Sequence, residues 1–312
     1  MTLLSGRFVR LLLPLALAAF AGCATTPLVY TVIDPPREEA LRISSPGLPR
    51  APVLALVLGG GASRGFAHVG AIRELERAGI SPQIVVGTSA GSFVGALYAG
   101  GYSGGALQYI AAGMEEDDLR DVVFLDRGFV KGERLQDFVN RYLGNRAIEP
   151  LPRRFAAVAT DLLTGDAIAF NHGNTGMAVR ASSSIPGIFQ PVRVGKRDYV
   201  DGGLVSPLPV RVARDMGADV VVAVDVARRP ESATVLETTA EVIVQSVAIM
   251  GRYVGQDERA EADVLIQPEV AAIGDFEFDK RSLAFESGAR AARAALPLIR
   301  AAVARFAEGR TR

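Results

Sequence analysis

The chain contains very few residues of the kinds that build redox and metal sites. Of its 312 residues, one is cysteine and two are histidine. A single cysteine excludes an intramolecular disulfide and any metal cluster built on several thiolates. Two histidines argue against a histidine-rich metal centre. We therefore expect no metal centre built on cysteine or histidine. We also expect the protein to use no cofactor.

Positive and negative charges balance in this sequence. The sequence contains 34 basic and 34 acidic residues, so its formal net charge is zero. Almost all basic residues are arginine, which we attribute to coding bias, and no basic patch argues for binding to nucleic acid. Hydrophobic residues make up 49% of the chain. This composition is that of a globular protein long enough to bury a large core.

The apolar run at the amino terminus is too short for a membrane-spanning helix. Two arginines precede the apolar segment Leu11–Ala21, and small residues then lead to the single cysteine, Cys23. This order predicts a signal peptide over residues 1–22. Residues Phe20–Cys23 resemble a bacterial lipobox, which implies that Cys23 carries a diacylglyceryl group.

A proline-rich segment over residues 23–52 follows the predicted signal peptide. Its six prolines break regular structure, and the residues between them show no periodic apolar pattern of a helix or a strand. We expect this segment to tether a folded body to a membrane through Cys23, because anchoring by several acyl chains is stable. The implied location is a bacterial cell envelope, on the periplasmic side of the outer membrane in a Gram-negative cell.

The next part of the chain, residues 53–270, has the pattern of one α/β domain. The continuous apolar run Val53–Leu58 predicts a buried parallel strand, and a helix over about Phe66–Ala78 follows a glycine-rich loop. A second strand at Gln83–Val86 and a helix at Ser92–Gly100 repeat this order. Alternating strands and helices predict a doubly wound sheet.

Shorter patterns predict the remaining elements. Further strands are expected at 155–159, 167–170, 190–194, 198–200, 219–226 and 263–266. Further helices are expected at 104–114, 131–143, 209–216 and 238–253, with a solvated turn at the acidic run 115–118. A carboxyl-terminal extension, 271–312, carries a helical apolar stripe over Phe285–Phe306 that should pack on the same domain. Pro297 should kink or split this helix.

The stretch from Gly87 to Gly91 joins the second strand to the following helix. Its Gly-x-Ser-x-Gly order is that of a nucleophile elbow, where a sharp turn presents a serine hydroxyl at a helix N-terminus. Free N–H groups and the helix dipole favour negative charge there. Ser89 is therefore a candidate nucleophile, and Gly87 and Gly91 allow the backbone to reverse. The alternative is an ordinary strand-to-helix turn.

The loop Gly59–Gly65 has three candidate functions. A phosphate-binding P-loop requires a lysine after its last glycine, and Phe66 stands there instead. A dinucleotide-binding loop requires an acidic residue at the end of the next strand, which ends in Gly87. The third function is an oxyanion hole, in which N–H groups of Gly59–Gly61 approach a substrate oxygen. Arg64 either braces this loop, offsets substrate charge, or forms a surface ion pair.

A serine nucleophile needs a base, and the histidines fit that role poorly. The order Ser, Asp, His fails because no histidine follows His172, which we expect to be exposed in a turn. His68 is interpreted as a packed residue that supports the site. The remaining candidate is Asp201, at a strand end before Gly202 and Gly203. Partial burial without a cation would raise its pKa and make it a better base. The alternative is a β-turn aspartate.

Three stretches in this order resemble the patatin-like phospholipase family, and they are Gly59-Gly60-Gly61-x-x-Arg64-Gly65, Gly87-x-Ser89-x-Gly91 and Asp201-Gly202-Gly203. The likeness extends from about Val53 to Val226 and more weakly to Pro268. It implies a three-layer α/β/α fold with a mainly parallel central sheet. It also implies a dyad of Ser89 and Asp201, with an oxyanion hole from the first loop. Family members are lipid acyl hydrolases that need no metal.

The function expected from this resemblance is hydrolysis of acyl esters in membrane lipids, of phospholipase A or esterase type. Five apolar residues near the motifs are candidates for the acyl pocket: Phe66, Phe93, Ile185, Ile188 and Phe189. Two alternatives stay open. The same dyad would serve a transacylase or a thioesterase, and the chain could instead be a lipid-binding lipoprotein without turnover.

Overall fold

The structure is a computed structural model that describes residues 51–115, 122–126, 128–227, 239–275 and 277–309. The predicted signal peptide, Cys23, most of the tether and the acidic residues 116–118 lie outside this part. Among the residues described, no helix has both the length and the apolar character needed to span a bilayer.

The strands, in chain order, are β1 (Leu54–Leu58), β2 (Ile84–Thr88), β3 (Val122–Asp126), β4 (Gly128–Val130), β5 (Arg154–Asp161), β6 (Ala167–Phe170), β7 (Val192–Val194), β8 (Arg197–Asp201), β9 (Val220–Val224) and β10 (Val264–Ile266). In the described part of the chain, eight strands form one sheet in the order β10-β9-β1-β2-β5-β8-β7, with β6 paired to β5. Strands β10, β9, β1, β2 and β5 pair in parallel, whereas the pairings of β6 with β5, of β8 with β5 and of β7 with β8 are antiparallel. The expected mainly parallel sheet is confirmed.

The helices, in chain order, are α1 (Phe66–Arg77), α2 (Ala90–Ala99), α3 (Gly104–Ala112), α4 (Glu133–Tyr142), α5 (Thr175–Ser182), α6 (Val210–Asp215), α7 (Thr239–Val254), α8 (Gln256–Glu261) and α9 (Arg281–Gly309). They cover both faces of the sheet because the central strands are apolar on both faces. In β1, Leu56 packs among α1, α2 and α9, whereas Val57 packs towards α6 on the opposite face. This is the predicted three-layer α/β/α architecture.

The predicted elements coincide with observed ones, but the prediction omitted β3, β4, α5 and α8. Helix α5 was missed because it is only eight residues long, too short to show a clear helical period. Its start is set by a local contact, in which the Asn174 side chain accepts a hydrogen bond from the Met177 N–H at 2.7 Å. Helix α9 is one helix and is not split at Pro297. Pro297 lies on an exposed face, where water can bond the carbonyl that loses its partner.

The last helix packs closely along the first. A Cβ on Gly288 of α9 would lie 1.9 Å from the carbonyl oxygen of Ala67 in α1, and a Cβ on Gly70 would meet the α9 backbone equally closely. Farther along both helices, Arg293 pairs with Glu74 at 3.1 Å. The two helices therefore run in the same direction, away from the carboxyl edge of the sheet. The carboxyl-terminal extension packs on the same body as the motifs.

Candidate active site

Ser89 occupies a strained turn between β2 and α2. Its backbone angles, φ 53° and ψ −124°, lie where residues other than glycine are rarely found. Its N–H donates to the Ser182 hydroxyl at 2.9 Å, and that hydroxyl donates to the Val158 carbonyl at 2.6 Å. Contacts from α5 and β5 thus hold Ser89 at the N-terminus of α2.

The glycines of the elbow are needed for close backbone contact. A Cβ on Gly87 would lie 2.4 Å from the backbone of Gly91, and a Cβ on Gly91 would lie 2.0 Å from the carbonyl oxygen of Leu58. Gly202 is equally confined, because its Cβ would lie 2.2 Å from the Val158 carbonyl oxygen. The turn, the end of β1 and the Asp201 loop therefore pack backbone against backbone.

Asp201 ends β8 and is buried beside the serine. The Ser89 hydroxyl lies within hydrogen-bonding range of its carboxylate, and the Gly203 N–H donates to Oδ1 at 2.7 Å. Burial raises the pKa of Asp201 to about 6, while these two hydrogen bonds act in the opposite direction. At neutral pH the carboxylate is ionised, yet it is a stronger base than an exposed aspartate. The structure thus brings the two predicted dyad residues together.

The glycine loop lines the same cleft, but its first two amides are already used. The Gly59 N–H donates to a carbonyl at the end of β9, and the Gly60 N–H donates to the Pro207 carbonyl, each at 3.0 Å. The structure therefore corrects the prediction that Gly59 and Gly60 supply the oxyanion hole. The N–H groups of Gly61 and Ala62 have no acceptor among the residues described, and both residues line the cleft beside Ser89.

His68 supports this loop from beneath. It is fully buried on α1, and its Nε2 lies 2.8 Å from the Gly59 carbonyl oxygen. Burial lowers the pKa of His68 to about 4, so the ring is neutral at physiological pH. A neutral ring can bond a carbonyl only with Nε2 as the donor. His68 is consequently a positioning residue that orients the Gly59–Gly60 peptide.

We expect His68→Leu to lower kcat by about fivefold, because about 1 kcal/mol of loop-orienting hydrogen bonding is lost. His68→Gln, whose amide can donate to Gly59, should recover much of the activity. The measurement is kcat and KM for a soluble ester between pH 6 and 8. Neither variant should move the pH profile, because the His68 pKa of about 4 lies below that range. Equal kcat for wild type and His68→Leu would contradict this role.

Arg64 braces the loop and is not a surface ion pair. The guanidinium is buried, and its Nη2 bonds the Asp275 carboxylate at 2.8 Å. Nε and Nη1 donate to the carbonyls of Val226 and Ile273, each at 3.2 Å. Arg64 therefore ties the glycine loop to the segments that follow β9 and β10.

The turn at Ser206 and Pro207 also supports the elbow and the glycine loop, and the sequence did not predict this role. The Thr88 hydroxyl donates to the Ser206 carbonyl at 2.8 Å, and the neighbouring Pro207 carbonyl accepts from Gly60. The Ser206 hydroxyl donates to the buried Glu258 of α8 at 3.0 Å. One turn thus connects the elbow, the glycine loop and α8. The contacts join residues far apart in the chain, so no local pattern could reveal them.

Two cavities open on either side of Ser89. One is strongly apolar, offers about 140 Å³ of free space, and follows α2 from Ser89 to Leu97 before reaching α3. Eight residues of helix span about 12 Å, which sets the depth of this cavity along α2. The other, of about 100 Å³, lies between the dyad and α7.

Four of the five predicted pocket residues line the apolar cavity, namely Phe66, Phe93, Ile185 and Phe189. Ile188 is buried outside it.

His172 takes no part in this site. It is half-buried between β6 and α5, its Nδ1 lies 2.8 Å from Asn171 Oδ1, and it lines neither cavity. Over the described residues, no group of three or more His, Cys, Asp and Glu side chains is placed to hold a metal ion.

Proteins of other organisms are similar to this chain in sequence. An uncharacterized NTE family protein of Mycobacterium tuberculosis is 34% identical over 275 residues, which cover 78% of this chain and 46% of that protein. Patatin-like phospholipase domain-containing protein 7 of Rattus norvegicus is 35% identical over 187 residues, covering 57% of this chain and 14% of that protein. The chain spans less than half the length of these two relatives.

The fold is also found among solved structures. VipD from Legionella pneumophila superposes with a TM-score of 0.56 at 14% identity, over 81% of this chain and 67% of that one. At that identity the likeness shows the fold alone. The patatin-like phospholipase family model matches residues 56–214, a stretch that contains the elbow, Asp201 and the whole glycine loop. The match covers half of the chain, which therefore belongs to the patatin-like phospholipase family.

Proposed function

We propose that this protein is a serine lipid acyl hydrolase, of phospholipase A or esterase type. The observation that carries the proposal is the placement of the hydroxyl of the strained Ser89 beside the buried Asp201 carboxylate, at the end of an apolar cavity. A nucleophile, a base with a pKa near 6 and an acyl-binding cavity meet at one point. Membership of the family agrees with this activity.

In the acylation step, Ser89 Oγ attacks the ester carbonyl carbon while its proton passes to the Asp201 carboxylate. The tetrahedral intermediate collapses, the ester C–O bond breaks, and Asp201 returns the proton to the departing alcohol. Water then attacks the acyl-serine with Asp201 as base, which releases the fatty acid and restores the Ser89 hydroxyl. We assign oxyanion stabilisation to the N–H groups of Gly61 and Ala62 and to the first N–H groups of α2.

The apolar cavity fits the acyl chain of the substrate. Beyond Ser89 its walls are formed by side chains of α2 and α3, among them Leu97, Leu107 and Ile110. A cavity that extends about 12 Å along α2 accepts the part of an extended acyl chain that is nearest to the ester. The second cavity contains Asp201 and the α7 side chains, so it faces the alcohol part of the ester.

The nucleophile is tested with a fluorophosphonate probe, which labels activated serines covalently. We expect the wild-type protein to be labelled and Ser89→Ala to lose all labelling. Ser183→Ala is the matched control, because Ser183 lines the same apolar cavity and its hydroxyl is outside the dyad. This control should be labelled like wild type. Undiminished labelling of Ser89→Ala would refute the assignment, and mass spectrometry of phospholipid vesicles would show whether fatty acid is released.

A further inference from the structure

Helix α7 is apolar on both of its faces. Its inner face lines the cavity beside the dyad with four residues, Val244, Val247, Ala248 and Gly251. Its outer face exposes five large apolar side chains, which are Val242, Ile249, Met250, Tyr253 and Val254. Among the α7 side chains that the structure describes, only Arg252 is charged. A helix with this pattern buries one face in the protein and leaves the other to an apolar partner.

The exposed face of α7 lies at the edge of the sheet where substrate must enter. Helix α7 packs on the turn after Asp201, and a Cβ on Gly251 would lie 3.6 Å from the Gly203 carbonyl oxygen. Any large apolar partner on α7 is therefore adjacent to the dyad. Tyr253 is 72% exposed on this face, and tyrosine is a residue that favours a membrane–water interface.

A second apolar feature stands at the same edge. Thr88 at the end of β2 pairs with Val158 of β5, and β5 continues for three more residues to Asp161. At about 3.3 Å per residue, the following turn projects about 10 Å beyond the elbow. That turn exposes Leu162 and Leu163, the latter 86% exposed. Two separate elements thus present apolar side chains at the carboxyl edge.

We propose that α7, together with the Leu162–Leu163 turn, docks on a lipid bilayer and places the Ser89 cleft against it. A bilayer fits two separate apolar elements because it is deformable, and it brings the ester to the cleft. A protein partner seated on α7 would instead cover the entrance. The inference rests on the proposed lipid hydrolase function, which supplies the reason for a lipid surface at this edge.

The length of chain before the body agrees with this orientation. The tether joins the body at the start of β1, at the edge of the sheet opposite the Ser89 cleft. For the cleft to face an anchoring membrane, the tether must therefore reach past the body. The predicted anchor at Cys23 is about 28 residues before Ala51, and such a segment can extend to about 95 Å. This reach is several times the height of the sheet at β1, which is five residues long and spans about 17 Å.

The chain contains no tryptophan, so a single tryptophan reports on one position. We would place Tyr253→Trp on α7 and Leu298→Trp on α9, each in a Ser89→Ala background so that no lipid is consumed. Leu298 is the matched control because it is 60% exposed and apolar but lies towards the far end of α9. In phosphatidylcholine vesicles with brominated acyl chains, Tyr253→Trp should lose most of its emission and Leu298→Trp should keep it.

Equal quenching at both positions, or quenching at neither, would overturn the docking surface. Because this measurement needs no turnover, it separates the two proposals. Quenching at Tyr253→Trp without any Ser89-dependent hydrolysis would refute the hydrolase and leave the docking surface in place. Concentration-dependent dimerisation that protects Tyr253→Trp from bromolipid would identify a second copy as the occupant and overturn the proposal.

Activity gives an independent readout. Ile249→Glu with Met250→Glu should lower the rate on phosphatidylcholine vesicles by at least about tenfold, because a charge is costly in an apolar interface. The same double variant should hydrolyse a short soluble ester at the wild-type rate. Leu298→Glu should change neither rate. A double variant that is unaffected on vesicles, or equally impaired on the soluble ester, would contradict docking through α7.

Discussion

Replacing Asp201 by asparagine is expected to lower kcat for ester hydrolysis by roughly 10²–10⁴-fold and, at neutral pH, to make the protein more stable. Activity falls because asparagine cannot take the proton from Ser89. Stability rises because the buried carboxylate is costly to ionise, whereas asparagine resembles its protonated form in shape and hydrogen bonding. The two effects of one substitution therefore have opposite signs.

The direction of the stability change follows from the pKa of Asp201. Burial raises this pKa from 3.8 to about 6, so the folded state holds a proton that the unfolded state releases at lower pH. Wild-type stability is full below pH 3.8 and is lost as the pH rises through about 6. At 1.36 kcal/mol per pH unit, the cost at pH 7 is about 3 kcal/mol. The advantage of Asp201→Asn should grow from pH 4 to pH 6 and then level off.

Urea unfolding at pH 4, 6 and 8 measures the difference in free energy of unfolding between Asp201→Asn and wild type. Independently, wild-type kcat/KM should rise with pH with an apparent pKa of about 6. Asp198→Asn on the same strand is the control. Asp198 pairs with Arg193, so its neutralisation removes a favourable ion pair and should not stabilise the protein. Asp201→Asn that is less stable than wild type at pH 8 would contradict a buried, costly carboxylate.

Replacing Gly91 by alanine is expected to damage both folding and catalysis. The added Cβ would lie 2.0 Å from the Leu58 carbonyl oxygen and 2.7 Å from that of Gly59, both in backbone that cannot move independently. Helix α2 must shift by about 1 Å to relieve the contact, and overpacking of this kind costs about 1–3 kcal/mol or more. Displacement of Ser89 by that distance from the glycine loop should lower kcat by about 10²-fold.

The matched control for this substitution is Gly105→Ala. Gly105 is exposed in α3, and the atom nearest to its added Cβ is 3.9 Å away. Alanine should therefore stabilise that helix by about 0.5–1 kcal/mol. Urea midpoints and kcat for the two variants separate close contact from helix propensity. A Gly91→Ala protein with the wild-type midpoint and kcat would show that the elbow can relax.

The parts of the site that the sequence predicted are those encoded in short segments. Val53–Leu58, Gly87–Gly91 and Asp201–Gly203 each combine a strand end with glycine, and parallel pairing brings the β1 and β2 loops to one edge. The pairing of Ser89 with Asp201 depended on the family resemblance, because β8 joins β5 antiparallel and no local pattern indicates its register.

The rest depends on contacts between distant residues. The sequence could not show that the N–H groups of Gly59 and Gly60 are used by β9 and by Pro207, since both acceptors lie far along the chain. Glu258 of α8 was missed for the same reason. The sequence predicted that burial would raise the pKa of Asp201. The size of this rise depends on how completely α7 and the turn after β8 exclude water from the carboxylate.

The pairing of α1 with α9 has a consequence for the order of folding. Gly70 and Gly288 bring the two helix backbones into contact across more than two hundred residues of chain. Until α9 has been synthesised, the face of α1 that carries Gly70 lacks the helix that covers it, so the sheet cannot complete its core on that side during translation. Contacts between residues so far apart in the chain also slow folding. The long loop between them must close, at a cost in chain entropy, before the stabilising contacts form. The nascent chain is therefore expected to remain in an open state until its last helix emerges.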